Sequence, residues 1–381
     1  MKITLIIPLL FSLCLTGSLV KKKVFKNYKK ILPLKKPPPY LEKSGYVSIS
    51  YPKKYEDNIL KIFHNISTFT CLQYKVEKNR INGKIGINFY FTKKVNKVKR
   101  SYKLNKPTNV YLKNYVYKNM TKLSFYVGLA LELIPEVARR DRRKYVSINF
   151  MNIKDSFKKY YMRTKYNYAY RQNEEFDIES AMLNTPYLGS INKTPTYKIK
   201  AHKNCLKTYN SSKLFTFSNF RRIYDLYCRE KCDLTDNCEN GSFPNPTCTH
   251  CICPLHFVGK KCEKLKPSEG YCGVQEQFWV IKKVNFLSND NIEGECYYSF
   301  KTKEEKRIKI RIKYLILLNS NSTMDDPYME IFYGRNKSKP DLTICNSVTN
   351  LNITSLSNEV YIYFHIPTVP NKLYLEFHEI D

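Results

Sequence analysis

The chain has 381 residues, 43% of them hydrophobic. That is enough for two or three folded domains and excludes a wholly disordered polypeptide. Lys and Arg number 65 against 33 Asp and Glu, a net charge of +32, which favours association with sulfated glycans, acidic membranes or nucleic acid. Lys, Asn, Ile and Tyr are all abundant, so an AT-rich coding bias explains the charge better than selection for a polyanion does. Residues 3–20, ITLIIPLLFSLCLTGSLV, follow Lys2 and end in small residues, the pattern of a secretory signal peptide over residues 1–18. Lys21, Lys22 and Lys23 follow at once and leave an uncleaved anchor open. No other stretch is long and apolar enough to span a bilayer. Residues 19–40, with KKKVFKNYKKILPLKK at 21–36, read as a disordered basic arm. Sequons at Asn65, Asn119, Asn192, Asn210, Asn240, Asn321, Asn336 and Asn352 agree with export.

Downstream of the arm, Val47, Ile49 and Tyr51 alternate as in a strand, and Ile59, Ile62, Phe63 and Ile66 share one helical face. LSFYVGLALELIPEVARRDRRKYVSINFMNI begins at Leu123, and the apolar spacing of its first half is by itself that of an ordinary core helix. EEFDIESAMLN (174–184) centres on Met182, by itself a core methionine. Seven cysteines then crowd into residues 228–262. The remainder is all-β by pattern, with RIKIRIKYLIL alternating over Ile308, Ile310 and Ile312.

The second half of the Leu123 segment resembles the tail of the astacin zinc-protease signature, HExxHxxGxxHExxRxDR followed by YVxIN. The matching residues are Glu136, Arg139, Asp141, Arg142, Tyr145, Ile148 and Asn149. In that register the family's three metal histidines fall on Phe125, Leu129 and Pro135. The catalytic glutamate falls on Tyr126 and the turn glycine on Glu132. Zinc in such sites needs imidazole or anionic ligands and an open position for water. Two histidines at i and i+4 supply two ligands, and the adjacent glutamate takes the proton of the activated water. Phe125 and Leu129 keep the spacing but offer hydrocarbon, and Pro135 has no side-chain lone pair. Tyr126, with a reference pKa of about 10, is no base at neutral pH. The histidines are His64, His202, His250, His256, His365 and His378, so none between residues 65 and 201 can restore the motif.

Residues 174–184 resemble the family's Met-turn. Asp177, Ser180 and Met182 are kept, but the His-Tyr pair that follows is Leu183-Asn184, so Asn184 replaces the tyrosine that contacts metal. Family precursors carry an inhibitory Asp, whereas residues 1–40 here contain no Asp or Glu. Residues 43–74 and 214–228 resemble the start and the closing helix of the same domain, which implies a Cys71–Cys228 bridge. Setting Cys14 in the signal aside, the remaining cysteines of an exported chain are expected to pair. Six of them resemble an EGF-like module, which implies Cys232–Cys248, Cys238–Cys251 and Cys253–Cys262. A zinc knuckle at CTHCIC is the lesser alternative. From Tyr271 the chain resembles a CUB module, and Cys272–Cys296 fits its first bridge. Cys205 and Cys345 then have no assigned partner. They could join each other or a partner's thiol.

The expected fold class is α+β. A two-lobed metzincin, astacin-like domain (41–228) is followed by a small disulfide-rich EGF-like module (229–263) and a CUB-like β-sandwich (271–381). The expected function is that of a secreted, extracellular astacin-like homologue without zinc or another cofactor, binding extended peptides or extracellular protein partners. If NVYLK (109–113) is the edge strand along the cleft, strand addition would survive loss of the metal. Two other readings stand beside it. One is a residual zinc peptidase drawing on His202 or His250. The other is a polyanion-binding matrix glycoprotein for which sulfated glycans, rather than nucleic acid, are the partner.

Overall fold

The computed structural model describes residues 46–103, 105–164, 176–200, 214–229, 231–232, 237–318 and 327–381. The expected signal and arm (1–40), Asn210, Asn321, His202 and Cys205 lie outside these residues.

The first part of the molecule is built on strands β1 (Tyr46–Ser50), β2 (Gln73–Val76), β3 (Ile87–Phe91), β4 (Lys97–Lys99) and β5 (Thr108–Leu112). They form one sheet in the order β2-β1-β3-β5-β4. Helix α1 (Glu56–Phe69) buries Ile59, Ile62, Phe63 and Ile66, the stripe its sequence spacing defines. Its Glu56 and Asp57 sit at the helix N-terminus, where the macrodipole favours negative charge.

The strand at 109–113 is not the edge. β5 pairs with β3 on one side and antiparallel with β4 on the other, Val98 facing Val110. β4 therefore ends the sheet. Its pattern was hard to read because one apolar residue, Val98, lies between two lysines, too little for a periodicity. Both lysines lie over the Tyr111 ring, Lys97 at 5.3 Å and Lys99 at 5.8 Å, contacts visible only once the strands are paired.

A single-turn helix α2 (Asn114–Tyr117) leads into α3 (Met120–Ala130), capped by Asn119, whose side-chain oxygen accepts the Lys122 N–H at 2.9 Å. β6 (Val146–Ile148) pairs antiparallel with β7 (Tyr197–Ile199), and the short α4 (Asp155–Lys158) lies between them in sequence. α5 (Phe217–Tyr227) starts at a reciprocal cap between Thr216 and Asn219. It ends at Cys228, bridged to Cys71 with 5.5 Å between the Cα atoms.

The cysteine-rich segment holds two small hairpins, β8 (Phe243–Pro244) with β9 (Cys251–Ile252) and β10 (Phe257–Val258) with β11 (Lys264–Leu265). Its bridges are Cys232–Cys248, Cys238–Cys251 and Cys253–Cys262. Cys248, Cys251 and Cys253 are thus all oxidised, which removes the thiolates a zinc knuckle needs.

The last part is a β-sandwich-like sheet assembly. It comprises β12 (Glu269–Tyr271), β13 (Gln277–Trp279), β14 (Asn285–Lys301), β15 (Arg307–Ile316), β16 (Tyr328–Phe332), β17 (Leu342–Ile344), β18 (Val348–Thr354) and β19 (Glu359–Ile380). The main path is β12-β14-β19-β15-β18, with β13 on β14 and β16 between β19 and β17. Ile308, Ile310 and Ile312 are wholly buried. Cys272 and Cys296 are bridged. Cys345 is also disulfide-bonded, so it is not a free thiol awaiting a partner.

The parts meet through specific contacts. His256 of the cysteine-rich segment lies 2.8 Å from the Glu330 carboxylate on β16, among the rings of Tyr297, Phe332 and Tyr363. Lys339, between β16 and β17, donates to the carbonyl of Phe176 just before the Met182 turn. Among the described residues no helix is long and apolar enough to cross a membrane.

Candidate functional site

Helix α3 carries Phe125, Tyr126 and Leu129, all buried, at the spacing a metal helix would use. Phe125 packs edge-on against Tyr126 at 5.4 Å and against Tyr160 at 6.1 Å between ring centroids. Burial pushes the Tyr126 phenol further up from its ordinary value, so it cannot serve as a base near neutrality. The helix ends in a turn at Glu132, whose φ of 70° lies in the left-handed region that favours glycine. The Leu133 N–H returns to the Gly128 carbonyl at 2.8 Å and closes that turn. Glu132 is buried, and burial holds its carboxyl above the usual range, with Arg100 and Tyr102 pulling back.

Pro135 follows, and the backbone N–H of Glu136 donates to the Met182 carbonyl at 3.0 Å. Met182 itself is wholly buried beneath α3, against Gly128. Its turn is pinned by Ser180, whose hydroxyl accepts the Met182 N–H at 3.0 Å and the Asn219 amide at 2.6 Å. The Asn184 side chain accepts the Thr185 N–H at 2.7 Å, and its backbone carbonyl accepts from the Tyr197 hydroxyl at 2.6 Å. Asn184 is thereby committed to the local turn.

Beneath these residues runs a buried charge network. The Glu136 carboxylate pairs with the Arg222 guanidinium of α5 and lies 3.7 Å from Arg139. Arg139 grips Asp141 through two hydrogen bonds, of 2.9 and 2.8 Å. Arg142 donates to the carbonyls of Val137 and Tyr161. Burial, with Arg163 and Arg143 nearby, pushes its guanidinium down to about 10. Tyr145 stacks on Phe176 at 4.9 Å. Burial alone would raise the Asp177 carboxyl, but Lys339, the Ser218 and Thr216 hydroxyls and Arg222 outweigh it and hold the group low.

Between β4 and the end of α3 lies a cavity of about 130 Å³, walled by Val98, Leu129, Leu133, Pro135, Tyr160 and Met162. Arg100 and Lys159 also line it. Partial burial, then Arg100 and Lys97, hold the Lys159 ammonium below its ordinary value. Sequence reasoning missed this basic rim, since single charges in a lysine-rich chain carry no signal. It also missed Arg222 as the partner of Glu136, although both lie in segments it singled out.

The family implies zinc here. The side chains at the expected ligand positions, Phe125, Leu129 and Pro135, carry no donor atom, so the residues do not fit the metal. Among the described residues no group of three His, Cys, Asp or Glu side chains is placed to hold a metal. The ring of His250 is 3.1 Å from the Thr249 hydroxyl, within the cysteine-rich segment.

The sequons differ in access. Asn192 and Asn352 are exposed, and Asn119 is exposed while capping α3. Asn65 is half-buried with an enclosed side-chain oxygen. The Asn240 amide nitrogen, the atom a glycan would use, donates to the Cys262 carbonyl at 2.8 Å. The Asn336 oxygen accepts the Ser338 N–H at 2.9 Å.

Comparison with known proteins places these features. Residues 45–228 match the family model of the Astacin peptidases, and residues 270–372 match the CUB domain. The chain is 26% identical over 249 residues to zinc metalloproteinase nas-38 of Caenorhabditis elegans, covering 63% of this chain and 34% of that protein. It is 25% identical over 239 residues to nas-34 of the same organism, covering 62% of this chain and 39% of that protein. It thus spans little more than a third of the length of these curated relatives. Among solved structures, high choriolytic enzyme 1, a hatching enzyme zinc-protease of Oryzias latipes, aligns with a TM-score of 0.40 at 18% identity, over 49% of this chain and 92% of that one. Residues 45–228 therefore belong to the astacin family, and the chain is an astacin-like metalloproteinase homologue carrying a CUB domain.

Proposed function

We propose that this chain is a secreted astacin homologue that has lost zinc and proteolytic activity and acts by binding extended extracellular peptides. The observation that carries the reading is the substitution of hydrocarbon for every expected imidazole within a frame whose supporting contacts remain. Phe125, Leu129 and Pro135 stand above an intact Met182 turn and a complete Glu136–Arg222 pair. Apolar side chains at these positions leave no buried polar ligand without a partner, so the loss is tolerable for folding. The end strand β4 offers a peptide backbone an edge to pair with, and the 130 Å³ cavity beside it offers one apolar side chain a place. The 1–3, 2–4, 5–6 order of the bridges over Cys232–Cys262 supports an EGF-like module between the two matched domains. The signal-like segment, the sequons and the disulfides support export.

The test is capture of peptides from a random library by the secreted protein, with mass spectrometry of what is recovered. Uncut peptides should be retained by the native chain and lost on Leu129→Trp, which fills the cavity, with an unchanged melting profile as the folding control. Recovery of cleaved peptides, abolished by a chelator, would instead establish the residual peptidase.

A further inference from the structure

The outer face of the CUB sheet has a composition the peptide-binding reading does not use. Along β15, Arg307, Lys309 and Arg311 are exposed between buried isoleucines. Residues two apart on a strand repeat about every 7 Å on one face, so these cations form a line. The register sets Arg311 opposite Glu376 of β19, and Glu376 opposite Phe286 of β14. These three side chains therefore share one row on the outer face. In the neighbouring row Tyr314 faces Tyr374. Phe286, 63% exposed, stacks on Tyr374 at 5.8 Å and 10° between ring planes, and Tyr374 stacks on Tyr314 at 5.8 Å. Lys313 pairs with Glu376 at 3.3 Å, and Lys372 adds an exposed cation opposite Ile316.

We propose that this face binds a linear sulfated polysaccharide. Sulfate groups would meet Lys309, Arg311 and Lys372, and the apolar faces of sugar rings would lie on Phe286 and Tyr374. Net charge alone would draw any polyanion. A cation line in register with a stacked aromatic ladder selects one that also carries flat, CH-bearing rings. Across these rows an acidic peptide would meet side chains and not a backbone ladder. Asn352, which opens a sequon, lies opposite Arg311 on β18, so a glycan there would crowd one margin of the face.

Heparin is the probe, titrated against the full secreted chain over a range of salt. Lys309→Ser with Arg311→Ser should lower the slope of log affinity against log salt by about 1.4, one increment of roughly 0.7 for each of the two lost ionic contacts. Phe286→Ser should weaken affinity about fivefold at an unchanged slope. Lys93→Ser with Lys94→Ser, an equal loss of exposed charge elsewhere, should change neither, and Asn352→Gln should bind as well as or better than the native chain. Equal losses from the two double variants would overturn the proposal. So would displacement of heparin, charge for charge, by polyglutamate.

Discussion

Gly128 and Met182 touch so closely that a Cβ at position 128 would overlap the methionine sulfur. Met182 is wholly buried, so a shift of its thioether would press on the side chains packed around it. On helix propensity alone Gly128→Ala would stabilise by about 1 kcal/mol. Against the buried methionine it should instead destabilise by about 1–3 kcal/mol through overpacking. Urea unfolding decides the sign. A stabilised variant would mean that the Met-turn is not held under α3 as described.

Glu136 and Arg222 are 0% and 2% exposed. Removing Arg222 leaves the Glu136 carboxylate with the weaker Arg139 contact at 3.7 Å, at a cost of up to about 3–5 kcal/mol. Arg222→Met should therefore be close to unfolding at 37 °C, and Glu136→Leu with Arg222→Met should recover much of the loss. Arg139 keeps its two bonds to Asp141 in the double variant, so it is not left bare. Expression yield and denaturant midpoints of the three proteins check this.

Two buried carboxyls give opposite pH signatures. Glu132 is held above its unfolded value of about 4.3, so its contribution is present below that pH and lost as pH rises through the higher folded value. Glu132→Gln should gain on the native chain from pH 4 to pH 7. Asp177 is held below its unfolded value of about 3.9, so its contribution is present above that pH and lost as pH falls through the lower folded value. Asp177→Asn should cost most at pH 7 and least in acid. Unfolding free energies of the three chains between pH 3 and 7 measure both trends.

The left-handed turn at Glu132 offers a separate gain. Glu132→Gly removes both the strained φ and the buried carboxyl, and should raise stability by about 1 kcal/mol. A rise in melting temperature checks it. A fall would mean that the Glu132 side chain contributes more than its backbone costs.

Sequence periodicity was enough for α1 and β15, because Ile59, Ile62, Phe63 and Ile66, and Ile308, Ile310 and Ile312, each fill one face at a clean helical or strand spacing. The frame around the site was legible for a different reason: Glu136, Arg139 and Asp141 are charged residues close in sequence, and the structure joins them to one another and to Arg222. The end strand β4 was not legible, since Lys97-Val98-Lys99 has one apolar residue and its partner Tyr111 is distant in sequence. The Lys339 contact to Phe176 was not legible either, because nothing local distinguishes that lysine from its neighbours. The aromatic row Phe286, Tyr374 and Tyr314 exists only through strand pairing.

The central claim concerns the chemistry at Phe125, Leu129 and Pro135. Metal content of the secreted chain, measured after equilibration with zinc and removal of loosely bound ion, addresses it most directly. The account predicts no stoichiometric zinc and no chelator-sensitive peptide cleavage. One tightly held zinc per chain, lost together with cleavage when a chelator is added, would contradict it.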